Sequence, residues 1–407
     1  MQSGSTKIRA RLPSYLLLFG IALQAGLYIA LWLAYITFPN SLNRADFASF
    51  YASGRIANTA GFSHIYDLDL QHSIQQAVLG RPMSMNDMLP FNHPPLLLPI
   101  QALIASANYT VSYIYWELAL VSLLGLGIYY SYRYIKVSAP AYRAIPLMLV
   151  MEFLFYPIFI SILKGQDSTF MLLGAMIWMY GLGINNDRAA GLGLALTVVR
   201  PQIALFLAIP FLFNRRKVFW WFLAGSVALT AYSVWMVNFQ GAAQLLQAIT
   251  ISVEGGGYGM SEATMFNLTG LLVRAWSAPG SNAIHAVGWA AYLAGVIGLS
   301  LLWAKSRQID PRHLGLAVVL GLFTSPHLHY HDLGLLILPV IGIAIIMIQS
   351  NTWQGIQPAW FIGGISILML VFDNLAVRYL FVYLLMVLLI VFLWFPQILK
   401  RASTAHP

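Results

Sequence analysis

The chain has no cysteine, which excludes disulfides, thiolate metal sites and a thiol nucleophile. Charge is nearly as scarce. Of 407 residues only 9% are Asp, Glu, Lys or Arg, against about one quarter in an ordinary soluble domain. No long basic tract is present, so the net charge of +9 does not point to nucleic acid. A glycine fingerprint for nucleotide binding, internal repeats and low-complexity tracts are also missing. What fills the chain is apolar: 59% of it is hydrophobic. Such a composition belongs to a polytopic membrane protein, and the expected fold is all-α, a single integral membrane domain over residues 1–407.

About 20 residues are needed to cross the hydrocarbon as a helix. The hydropathy pattern predicts spans at 14–37, 111–134, 144–163, 168–185, 218–238, 283–304, 332–349, 358–374 and 377–396. Shorter apolar stretches at 189–199, 202–213 and 313–325 are half to two-thirds of a span, as helices that meet polar residues at depth often are. Counting all as crossings gives about 12 transmembrane helices, with both termini on one side. Arg44, Arg55, Arg81, Lys164, Arg200, Arg274 and Arg378 then fall on the other side, which leaves 15 of the 22 basic residues with the termini. The positive-inside rule makes that side cytoplasmic. Two large extracytoplasmic loops follow, 38–110 and 239–282. The first holds an amphipathic stretch, Leu68 to Leu79. The second holds the run from Glu254 to Gly259, which reads as a mobile loop.

Most acids gather on the outer side. Asp46 is the only carboxylate within twenty residues in either direction and lies just past the first span. It is either a catalytic base at the membrane surface or the cap of a helix through Phe47–Thr59. Arg44 and Arg55 either orient it, hold an anion, or only pair with lipid phosphate. Phe91-Asn92-His93-Pro94-Pro95 combines a rigid backbone with a histidine that could reach a substrate. In Lys164-Gly165-Gln166-Asp167-Ser168, Asp167 and Ser168 read as helix caps, and Lys164 and Gln166 as sugar or phosphate contacts. Arg200, before Pro201 and Gln202, is a charge between two short apolar helices; such charges are costly unless paired or hydrated. Arg also offers phosphate a planar fork. His327, His329 and His331 alternate ahead of Asp332. They suit a metal, with Asp332 as a further ligand or a partner to one, only if the segment is extended; a donor-phosphate or sugar contact by one of them is the preferred reading, with Asp332 capping the next helix. Asn108 and Asn267 sit in glycosylation sequons.

Five segments carry a resemblance in chain order: DFASFYASGR (46–55), FNHPPLLLPI (91–100), LKGQDSTFMLL (163–173), VVRPQIALFLAIPFLFNRRK (198–217) and SPHLHYHDLGLLILP (325–339). Together they resemble glycosyltransferase family 87, the polyprenyl-phosphate-mannose-dependent alpha-mannosyltransferases of GT-C type. His93 stands where the family commonly has Tyr, and Arg200 where it commonly has Lys. The resemblance implies a GT-C-like fold with an extracytoplasmic active site, in a bacterial inner membrane, and a catalytic base at Asp46.

The implied reaction is a single inverting displacement that moves mannose from the lipid phosphate to a hydroxyl of a glycolipid or glycan acceptor. Asp46 would take the hydroxyl proton. Lys164, Arg200 and a histidine among His327, His329 and His331 would hold the donor phosphate, and Arg55, His93, Gln166 and Gln202 the acceptor or sugar. No cofactor and no metal is called for, and the partners are the polyprenyl-phosphate donor, the acceptor and membrane lipid. The same fold with another polyprenyl-phosphate sugar is the nearest alternative. A transporter or flippase for a lipid-linked sugar would share polar groups at depth and short helices, but would more often spread charge along a path and show symmetry between halves; a structural membrane subunit would not need Arg200 or Asp46.

Overall fold

The computed structural model describes residues 3–38, 46–254 and 261–399. Arg44 and the glycine run at 255–259 lie outside the described residues. Within them the protein is helical, with no strand. The order is α1 (Ser3–Thr37), α2 (Phe47–Thr59), α3 (Leu68–Leu79), α4 (Leu98–Ile104), α5 (Tyr109–Ser138), α6 (Ile145–Phe153), α7 (Tyr156–Leu163), α8 (Ser168–Gly183) and α9 (Asp187–Ala195). It continues with α10 (Pro201–Ala208), α11 (Phe211–Asn214), α12 (Arg216–Glu254), α13 (Leu268–Trp276), α14 (Asn282–Lys305), α15 (Pro311–Thr324), α16 (Ile337–Gln349), α17 (Gln357–Asp373) and α18 (Arg378–Trp394).

All twelve apolar segments expected from hydropathy are helical, but their lengths differ. Among the described residues five helices are long and apolar enough to cross a membrane, or six if the bent pair α6–α7 is one span. Six apolar helices have only 10–17 residues. The expected twelve crossings therefore stand as helices, not as twelve full-length spans. The described part of loop 38–110 is more ordered than a loop: α3 and α4 each pack on α2 over a core of Phe47, Phe50, Tyr113 and Trp116.

Broken helices expose backbone groups that apolar surroundings cannot satisfy. The chain answers this with side chains. Between α6 and α7, bent by 41°, the Leu154 carbonyl accepts from Gln24 Nε2 at 2.8 Å, from Ser366 Oγ at 2.9 Å and from the Tyr28 hydroxyl at 3.0 Å. Within α12 the break is at Asn238, whose φ is 56°. Its Oδ1 caps the second half by accepting from the backbone N–H of Gln240 and Gly241. Asn108 and Asn267 cap α5 and α13 in the same way, and Asn267 is fully buried, which removes it as a glycosylation acceptor.

Small residues let the helices beneath the site close up. A Cβ on Gly181 of α8 would lie 2.4 Å from the Ala190 nitrogen of α9. The α5–α8–α9–α12 layer is continuous, and α16 with the 3-10 turn before it, Tyr330–Leu336, runs enclosed through the molecule. That enclosure brings the histidine segment against the α7–α8 turn.

Candidate active site

The turn from α7 into α8 organises the site. Gly165 has φ +75°, a left-handed conformation that ends α7. Its N–H donates to the Ile162 carbonyl at 2.7 Å, and the Gln166 N–H to the Ser161 carbonyl at 2.9 Å. From α5, Trp116 Nε1 donates to the Gly165 carbonyl at 2.7 Å. The Tyr113 hydroxyl lies 2.6 Å from the Leu163 carbonyl and 2.7 Å from Glu117 Oε1. Glu117 in turn accepts from the Trp32 indole N–H. The Lys164 carbonyl accepts from the Phe47 N–H at 2.9 Å, so α2 starts from this same turn.

Asp46 stands at the N-cap of α2, but its side chain makes no capping bond. The capping alternative thus fails on geometry. The carboxylate instead accepts from Gln166 Nε2 at 2.8 Å and is half-buried at the wall of a cavity of about 760 Å³. His93, Lys164, Gln166, Arg200, Gln202, His327, His329 and His331 line the same cavity. Residues from five separate stretches of sequence thus converge. Arg55 is not among the lining residues: eight positions on from Phe47, it stands about 12 Å from the start of the helix. One wall is apolar, built from Leu205, Ile249, Trp289 and Tyr292, and Leu205 and Trp289 are nearly half exposed on the protein surface.

Arg200 is buried between two carboxylates. Its Nε donates to Asp332 Oδ1 at 3.1 Å, its NH2 lies 3.1 Å from Asp167 Oδ1, and its NH1 is 2.9 Å from His93 Nδ1 and 3.2 Å from the Val199 carbonyl. This corrects the reading of Asp167 and Asp332 as helix caps. Neither caps a helix with its side chain; both balance a buried cation. Burial opposes the charge on Asp167, but His93 and Arg200 prevail and hold its carboxyl well below the usual carboxylate range. With two acids on one guanidinium, Arg200 brings no spare positive charge to a phosphate. Lys164 is exposed and lines the cavity, and it pairs with no carboxylate among the described residues.

The three histidines pack ring against ring, edge-on and tilted, rather than form a ligand set. The rings of His327 and His329 are 4.6 Å apart and those of His329 and His331 5.8 Å, and no group of three His, Asp or Glu is placed to hold a metal among the described residues. Burial, followed by the charge of neighbouring His329, drives the His327 pKa well below its ordinary value, and burial lowers that of His329. At neutral pH both are uncharged hydrogen-bonding groups. Gln202 Nε2 donates to the His327 carbonyl at 3.2 Å and so serves the segment's backbone.

Sequence reasoning missed the Asp167–Arg200–Asp332 group and the supporting role of Glu117. The signal for the first was the cost of Arg200 itself, since a charge at depth requires a partner. Glu117 lies in an apolar run with no motif around it. Gly165 makes the turn's role testable. Alanine there would take an unfavourable φ and set its Cβ 2.6 Å from Phe47 Cβ. Gly165→Ala is expected to cost about 1–3 kcal/mol from overpacking alone and to displace Asp46. A lower unfolding midpoint together with reduced turnover in the still-folded fraction is the expected result.

The model of glycosyltransferase family 87 matches residues 91–326 of the chain, more than half its length. No curated protein matches, and no solved structure matches.

Proposed function

Because the chain belongs to glycosyltransferase family 87, we propose that this glycosyltransferase moves a mannosyl residue from polyprenyl-phosphate-mannose to a hydroxyl of a glycolipid or glycan acceptor. The observation that carries the reading is the Asp46 carboxylate, freed from capping, fixed by Gln166 and set in a cavity with one apolar wall. A lipid-linked donor needs that combination. Its sugar and phosphate require polar surroundings, while its chain requires a lipid-facing opening, for which the exposed Leu205 and Trp289 are suited. The acceptor face would lie on the extracytoplasmic side of a bacterial inner membrane, with both termini cytoplasmic.

In the proposed step Asp46 takes the proton of the acceptor hydroxyl. The oxygen forms a bond to the anomeric carbon as the bond from that carbon to the phosphate oxygen breaks. The electron pair leaves with the lipid phosphate, and the anomeric configuration inverts. Lys164 supplies the charge that meets the leaving phosphate. The neutral His327 and His329 and the half-buried His331 supply hydrogen bonds, and Arg200 shapes the cavity wall from behind, neutralised by its two acids. Gln166 keeps the base oriented. Transfer is tested with purified protein in detergent, short-chain polyprenyl-phosphate mannose and mannosylated lipid acceptors, with glucosyl and arabinosyl donors alongside. Wild-type transfer from the mannosyl donor is expected, and Lys164→Met should lose about 10²–10³-fold of it, the scale of one removed charge-stabilising donor. Transfer only from another sugar would keep the reaction and replace the donor. No transfer from any lipid phosphate would overturn the reading.

A further inference from the structure

A second polar group lines the cavity, outside the 91–326 match: Asp373, the last residue of α17, and Arg378, the first of α18. Asp373 Oδ2 accepts from the Tyr156 hydroxyl at 2.8 Å, and neither Asp373 nor Arg378 is in an ion pair among the described residues. Arg378 is braced by Tyr379, whose ring centre is 4.8 Å from the guanidinium carbon and whose hydroxyl accepts from NH2 at 2.8 Å. Among the described residues its remaining N–H groups have no acceptor and are left for another partner. Tyr330 joins them. Its ring packs on Tyr156 at 5.9 Å and on Phe266 at 5.3 Å, and its buried hydroxyl has no hydrogen-bond partner among the described residues.

We propose that Asp373, Arg378 and the Tyr330 hydroxyl, beside the Phe266 and Tyr330 rings that line the cavity, form the subsite that holds the acceptor's sugar ring. This rests on the glycosyltransferase reading above and names the acceptor side of that site. The chemistry selects a neutral carbohydrate. A pyranose offers an apolar C–H face to aromatic rings, and neighbouring hydroxyls to a planar carboxylate and a planar guanidinium, each able to bind two at once. A few fixed polar groups on an aromatic lining are what small-ligand sites use for orientation. A phosphate fits poorly, because Asp373 would repel it, and Lys164, which pairs with no carboxylate among the described residues, already offers the cavity a cation. The subsite is also rigidly backed: the Tyr156 N–H donates at 2.9 Å to Ser366 Oγ, part of the network that closes the α6–α7 break.

Two readouts test it, one of them independent of turnover. Saturation-transfer NMR of α-linked mannobiose with the purified protein in detergent is expected to show transfer to the sugar's ring protons in wild type and at least a fivefold weaker signal in Asp373→Asn and in Arg378→Gln. In the transfer assay both variants should raise the acceptor KM tenfold or more while the donor KM moves less than twofold. The two variants guard against either one failing to fold. Equal NMR signals in wild type and variants, no wild-type signal, or a rise confined to the donor KM would each overturn the subsite. A wild-type NMR signal without transfer from any donor would instead count against the reaction and leave the subsite standing.

Discussion

Asp46→Asn is expected to lower the transfer rate by about 10²–10⁴-fold, the usual worth of a general base, with little change in donor KM or folding. The geometry makes this substitution unusually clean. Asp46 makes no side-chain bond to the helix it precedes, so no cap is lost. Among the described residues its one side-chain partner is an N–H donor, Gln166 Nε2 at 2.8 Å, and an asparagine carbonyl oxygen accepts that bond equally well. Shape and hydrogen bonding persist, and only the ability to take a proton goes. Thermal unfolding of the variant should match wild type, while single-turnover transfer shows the loss. A variant that folds and transfers at the wild-type rate would keep the enzyme and remove Asp46 as its base. Asp46→Glu separates chemistry from reach: it retains the carboxylate but moves it by one methylene, and activity intermediate between wild type and Asp46→Asn is expected.

Helices were readable from the sequence because their signal is local. The amphipathic run Leu68 to Leu79 forms α3 with those bounds, Asp67 accepting from the Asp69 and Leu70 N–H at one end and Gly80 at φ 65° at the other. Asp46 was readable as a solitary acid in an apolar chain. Pairing was not readable, because it depends on which turns meet. Asp167 stands before a helix and looks like a cap, yet its carboxylate is turned to Arg200 and His93, which are far away in sequence. Arg200 illustrates the converse. Its type and depth suggested phosphate, and only the two acids beside it reveal that its charge is already matched. The acceptor-side pair Asp373 and Arg378 carried no motif at all. They matter because the α17–α18 turn meets the same cavity, a fact of packing that no spacing along the chain encodes.

Arg200→Ala is expected to destabilise the protein by about 3–5 kcal/mol, the cost of leaving buried charges without their partner. Arg200, Asp167 and Asp332 are all buried, and each acid oxygen facing the guanidinium lies 3.1 Å from it. Removing the cation strands both carboxylates at once. Lysine is a poor substitute, since a single ammonium on a flexible stem does not span two acids in the way a planar fork does. The loss should depend on pH in a defined direction. In the wild type the Asp167 pKa is lowered, so its contribution is present above the unfolded value of about 3.9 and is lost as pH falls through the folded one. Without Arg200 the stranded acids gain by taking up protons. The variant's deficit should therefore be largest near pH 7 and narrow toward pH 4, read as the difference in unfolding midpoint between variant and wild type across that range. Adding Asp167→Asn and Asp332→Asn to the Arg200→Ala protein should recover part of the stability at pH 7, because the buried charges then disappear together. A single variant as stable as wild type at neutral pH, or a deficit that widens on acidification, would mean that the three groups are solvated and that the wall behind the histidines is not held by this ion cluster.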